Sequence, residues 1–194
     1  RPGGSSRSLS VRSFLGSGLL TLACALATVT EVAAQAAVNE TQAKAGFVLN
    51  FMRYVEWPER VFAARDTPLL LCVLGRDEVA TALTALDGRQ VQGRPIAIRR
   101  LTSQDEARSC QVLFIAESEA RRLALVLRAV AGLPVLTVSD ADAFIDAGGA
   151  IGIVRGDGRL QFEVNRASLD QAQLKASSNL LKLARNLVDV KGRN

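Results

Sequence analysis

The side chains able to do chemistry are few, and their types narrow the field before any fold is considered. The chain of 194 residues contains no histidine, which removes Ser-His-Asp and Cys-His catalysis together with the commonest transition-metal ligand. Cys72 and Cys110 stand far apart, outside any C-x-x-C redox motif, with no imidazole to generate a thiolate. Asp140, Asp142 and Asp146 lack the glycine and terminal glutamate of a calcium loop and read as a capped loop or short helix. The run Gly148-Gly149-Ala150-Ile151-Gly152 enters a strand instead of opening a helix. It therefore reads as a bend or close backbone approach, not a phosphate cradle. Arg99-Arg100 and Arg121-Arg122 read as solvated charge runs, and no spaced carboxylate pair stands out for hydrolysis. The sequence thus predicts a non-enzymatic protein with no catalytic residue, metal or cofactor.

Trp57 is different in kind. It is the only tryptophan, set beside Pro58 with Tyr54 and Phe62 near it, in a turn after a helix. Two readings stand: a core plug, or a partial surface anchor with Arg53 and Glu56 as a charged rim.

The formal charge of +5 does not amount to a nucleic-acid footprint, because Arg1, Arg7 and Arg12 lie with one acid, Glu31, in the first 36 residues and leave the rest near +3. Those residues read as an export signal. The three arginines form a positive n-region, Phe14 to Val29 is apolar and small, and Val32-Ala33-Ala34-Gln35-Ala36 offers small residues for cleavage after Ala34 or Ala36. An uncleaved anchor is the alternative, weakened by Ser13, Gly16, Ser17, Gly18, Thr21 and Thr28 in the apolar run. A lipidated Cys24 is disfavoured by Thr21 three places before it. The predicted division is a cleavable signal peptide, 1–36, and a periplasmic domain, 37–194. In an oxidising compartment the pair Cys72 and Cys110 reads as a disulfide, the alternative being two buried thiols.

The elements that must position these residues alternate in type. Asn39 and Gln42 predict a capping box opening a helix that runs to Tyr54, which Trp57-Pro58 stops. Leu69 to Leu74 is a continuous apolar run of strand length, the mark of a strand buried on both faces. Asp77 caps a helix ending before Gly88, and strands follow at Pro95–Leu101 and Gln111–Ala116. Ser118 is expected to cap a helix reaching Val130, and Leu133 to Val138 reads as another strand. Ile151–Arg155 and Leu160–Asn165 flank Gly156-Asp157-Gly158 as a three-residue hairpin loop. Ser178 then caps a closing helix striped by Leu180, Leu183, Ala184 and Leu187. The predicted fold is one α/β domain, a mainly parallel sheet covered by helices, with a C-terminal antiparallel hairpin and closing helix.

Several segments in this order resemble the YfiR-like family of exported bacterial proteins. They are Lys44-Ala45-Gly46-Phe47, Asn50-Phe51, Tyr54-Val55-Glu56-Trp57-Pro58, Leu71-Cys72-Val73-Leu74-Gly75, Cys110-Gln111-Val112-Leu113-Phe114-Ile115, Val135 to Asp140, Phe162-Glu163-Val164-Asn165 and Ser177 to Ala184. The resemblance implies a periplasmic protein that binds and represses the sensor domain of an inner-membrane YfiN-like diguanylate cyclase and lowers cyclic di-GMP. It also implies a YfiB-like outer-membrane lipoprotein as a competing partner, and it is compatible with a homodimer. Cys72 and Cys110 match the family's bridging pair. A second cysteine pair, expected near Phe144 to Gly152, has no counterpart in this chain. Phe162 and Glu163 are candidate partner contacts by local motif, beside Arg53, Glu56 and Trp57. A small-molecule binding or sensing module with its cleft at the C-terminal ends of the parallel strands is the other functional reading.

Overall fold

The computed structural model describes residues 17–189. The arginines of the expected n-region, Arg1, Arg7 and Arg12, lie outside the described residues. Two compact units are present, divided between Asn39 and Glu40. The first is helical over its described part, 17–39. Among the described residues, no helix is long and apolar enough to cross a membrane. The second unit, from Glu40, is the α/β domain.

The elements run in chain order as α1 (Ser17–Tyr54), β1 (Val55–Glu56), β2 (Leu69–Leu74), α2 (Glu78–Ala82), β3 (Gln90–Val91), β4 (Arg94–Leu101) and β5 (Val112–Ile115). After these come α3 (Leu123–Ala129), β6 (Leu136–Ser139), β7 (Ile151–Gly156), β8 (Arg159–Asn165), α4 (Arg166–Gln171), β9 (Lys175–Ala176), α5 (Ser178–Leu183) and β10 (Asn186–Val188). The main sheet has the order β10-β8-β7-β6-β5-β2-β4-β3. Its five central strands are parallel, β8 returns antiparallel to β7, and β10 lies parallel to β8. Chain order reverses at β2, with β4 on one side and β5, β6 and β7 on the other. This is the switch point of a doubly wound sheet, the mainly parallel α/β architecture the sequence predicts.

Side-chain alternation explains why β2 reads as an unbroken apolar run. Leu69, Leu71 and Val73 enter one core with Val48, Phe51 and Met52 of α1, while Cys72 and Leu74 enter the other with Leu123, Val126 and Leu127 of α3. Helices cover both faces, so neither set of side chains meets water. The central strands of the sheet bury both their faces for the same reason.

Several local expectations are corrected. Asn39 does not open a helix; α1 passes through it, and the Gln35 side chain donates to its Oδ1 at 3.5 Å. Residues 17–39 hold one glycine, Gly18, and no proline, so nothing intrinsic breaks the helix there. Ser118 caps nothing: Glu117–Arg122 is a 3₁₀ turn before α3, and the Ser118 hydroxyl accepts the Arg76 N–H at 2.9 Å. The β7–β8 loop has two residues, since Gly156 pairs with Arg159. Asp157 and Gly158, at φ of 52° and 73°, make the mirror-image turn that suits a twisted hairpin. Ser177, not Ser178, caps α5 by accepting the Leu180 N–H, and the expected leucine stripe does not form. Leu180 is buried but Leu183 and Leu187 are exposed, because the chain leaves the helix after Leu183 to add β10 to the sheet.

Candidate functional site

Cys72, in the centre of β2, and Cys110, just before β5, are joined by a disulfide with Cα atoms 5.9 Å apart, inside the usual range. Both are buried in the α3-side core. The preceding connection, Gln104–Ser109, is a 3₁₀ helix with a complete capping box between Ser103 and Glu106. Hydrogen bonds, first from the Thr102 side chain and then from the Thr102 and Ser103 backbone, hold the Glu106 carboxyl below the usual glutamate range.

Trp57 sits in the core at 8% exposure, and its indole N–H donates to the Gln111 carbonyl at 3.0 Å. Gln111 in turn accepts the Leu70 N–H through its side chain at 2.9 Å. The turn after α1 is thereby tied to the two strands that carry the disulfide. Above it, Arg53 and Glu56 are exposed, and so is Tyr54 at 42%. Arg53 donates to the Asn50 side chain at 3.3 Å. Val55 and Glu56 pair with Ala176 and Lys175 of β9, which fixes this rim on a two-stranded ribbon. Gln92, in the β3–β4 turn at φ 51°, reaches back so that its amide donates to the Met52 and Val55 carbonyls at 2.9 and 2.7 Å. It satisfies carbonyls that the end of α1 leaves open.

Phe162 and Glu163 point to opposite faces of β8. Phe162 is buried, edge-on to Phe47 and Phe51 at 5.7 and 5.1 Å between ring centroids. Glu163 is half-buried and faces a crevice of about 470 Å³. The five sequence-predicted contact residues therefore fall into two places: Arg53, Glu56 and Trp57 at the end of α1, and Glu163 at the crevice, with Phe162 beneath the sheet.

Sequence reasoning placed a small-molecule cleft at the C-terminal ends of the parallel strands and assigned it no residues; the structure has a crevice there. It lies where β6 ends and β7 begins, with Asp140 as the residue after β6. Lys44 of α1 donates to Asp140 Oδ2 at 2.8 Å and lies 3.5 Å from Glu40, which also pairs with Arg155. Asp140 Oδ1 is buried with no hydrogen-bond partner. Gly149 enters β7 so close to the Phe144 ring that a Cβ there would clash, the close approach expected of this glycine run. A second cavity, of about 370 Å³, lies between α3, the β6–β7 connection and α4, with a floor of Leu127, Val130 and Ala150. Among the described residues, no group of three or more His, Cys, Asp or Glu side chains is placed to hold a metal ion.

Such a fold, doubly wound with its helices on both faces and a buried disulfide across two strands, belongs to a class of disulfide-bridged α/β domains. The YfiR/HmsC-like family profile matches residues 41–185, and the chain belongs to that family. The family is one of periplasmic, non-catalytic regulators in cyclic di-GMP signalling. Two solved structures resemble parts of the chain at 10% identity. One is the ABC domain in complex with L-Trp from Streptococcus pneumonia, at a TM-score of 0.47, with 61% of this chain and 55% of that chain covered. The other is a conserved domain protein from Vibrio cholerae, at 0.45, with 61% and 54% covered. The chain spans about half the length of each.

Proposed function

We propose that this protein is exported to the periplasm and binds the periplasmic sensor domain of an inner-membrane YfiN-like diguanylate cyclase, holding it in its inactive conformation and lowering cyclic di-GMP. The observation that carries the reading is the family match over residues 41–185. Repression of this kind needs no chemistry. A protein that binds one conformation of a sensor better than another shifts the equilibrium by its differential affinity. The contact surface in this reading is the exposed rim of Arg53, Tyr54 and Glu56 beside the buried Trp57, with Glu163, next to the buried Phe162 on β8, as a second contact. A YfiB-like outer-membrane lipoprotein that sequesters the repressor would release the cyclase, and two copies of the repressor acting as a homodimer fit the same scheme.

Deleting the gene should raise cellular cyclic di-GMP and surface attachment, and expressing the wild-type protein should reverse both. A double Arg53→Ala, Tyr54→Ala variant should fold normally yet weaken capture of the sensor domain by about 1–3 kcal/mol, the range of interface hot spots. Unchanged cyclic di-GMP on deletion, under conditions in which the parent strain expresses the protein, would overturn repression. Undiminished capture by the double variant would move the contact elsewhere.

A further inference from the structure

We propose that the cavity between α3, the β6–β7 connection and α4 binds a small monocarboxylic acid with an apolar body, a function independent of the cyclase partner above. The cavity follows from how β6 and β7 meet. They pair only at Val138 with Ile151 and at Ser139 with Gly152. Ahead of that pairing, hydroxyls hold the chain in place of a backbone ladder. The Ala150 N–H donates to the Thr137 hydroxyl at 3.0 Å, and the Ser168 hydroxyl donates to the Gly148 carbonyl at 2.7 Å. Ala124, Ala131, Gly132, Ala143 and Ala147 line the gap with side chains too short to fill it. The resulting space of about 370 Å³ lies over buried Leu127, Val130, Val135 and Ala172, and its size is that of a small-ligand site.

The polar groups of the lining fix the sign of the ligand. Thr137 lines the cavity at 6% exposure; its oxygen accepts the Ala150 N–H, and its own proton has no acceptor among the described residues. A buried hydroxyl with an open donor calls for an acceptor on whatever fills the space beside it. Arg128, in the last turn of α3, is exposed, lines the same cavity and forms no ion pair among the described residues. It adds further donors. A carboxylate is the acceptor that serves both groups, since a guanidinium fork binds it through two parallel hydrogen bonds. Asp146, on the β6–β7 connection, also lines the cavity without an ion pair, and its charge opposes an anion. Asp146 is exposed and keeps its hydration, whereas the buried Thr137 must find its acceptor inside the cavity. Neutralising Asp146 should therefore tighten binding of the acid.

The test is an NMR titration of the isotope-labelled full chain with 4-methylpentanoate, with 4-methylpentanamide as its neutral isostere and free leucine as the same skeleton carrying an ammonium. The acid should shift the backbone amides of Ala124, Arg128 and Ala147 and bind at about 1 mM or tighter, and the amide should bind about tenfold more weakly. Arg128→Gln should weaken the acid about tenfold, and Asp146→Asn should tighten it severalfold. Ala124→Phe, which projects a ring into the cavity from α3, should abolish binding. All three positions are exposed, so each variant should keep the fold. No shift at the cavity, equal binding of the amide, tighter binding of leucine than of the acid, weaker binding in Asp146→Asn, or wild-type affinity in both Arg128→Gln and Ala124→Phe would each overturn the proposal.

Discussion

At Trp57 the indole fills a core position and its N–H satisfies the Gln111 carbonyl, which also accepts the Leu136 N–H at 2.8 Å. Truncation to alanine removes both the packing and the donor, so Trp57→Ala should lower unfolding stability by about 3–5 kcal/mol. Trp57→Phe keeps the ring volume in part and leaves the carbonyl its second donor, which limits the hydrogen-bond loss to about 1 kcal/mol. Urea unfolding followed by far-UV circular dichroism measures both. An unchanged midpoint in Trp57→Ala would return the ring to the surface. Sequence left this residue open because its environment is made by Gln111, 54 positions away, and no local pattern reports that distance. The direction of Phe162 and Glu163 was legible from strand alternation once β8 was placed. Which of the two faced the core was decided by where Phe47 and Phe51 lie.

Among the elements, β2 and β5 carry the covalent link. The bridge closes a loop of 38 positions that contains α2, β3 and β4, which the chain-entropy account values at roughly 3–4 kcal/mol. The double Cys72→Ser, Cys110→Ser variant should therefore melt well below wild type. Native protein should resist reductant, because Cys72 is 0% and Cys110 2% exposed. Reduction should become rapid only in denaturant. Two free thiols trapped by alkylation of unreduced protein from the periplasm would refute the bridge. The runs that built these strands were legible because burial on both faces leaves an unbroken apolar stretch. β9, β10 and α4 were not. β9 and β10 are short and depend on distant partners: Asn186 to Val188 become a strand only because β8 offers an open edge at Glu163 to Asn165.

For the whole molecule, the boundary between Asn39 and Glu40 falls just beyond the expected cleavage sites. Mass spectrometry of protein recovered from the periplasm should place its first residue at Gln35 or Ala37, and protein so processed should melt as the full chain does. A periplasmic product that retains Arg1 to Ala34 would refute cleavage. By itself the sequence determined the fold class, the parallel core strands, the hairpin, the cysteine pair and the family. The first four follow from local periodicity, from glycine and proline chemistry, and from residues counted along one line, and the family follows from the resemblance of segments in a fixed order. Tertiary structure alone decided that Trp57 is interior, that Gln92 closes the end of α1, and that the chain finishes on a strand. It alone decided, too, that Lys44 meets Asp140 across 96 positions and leaves one carboxylate oxygen unpaired. Each of these depends on groups brought together only when two cores pack on opposite faces of one sheet, and burial, unlike residue type, is a property of the assembled surroundings.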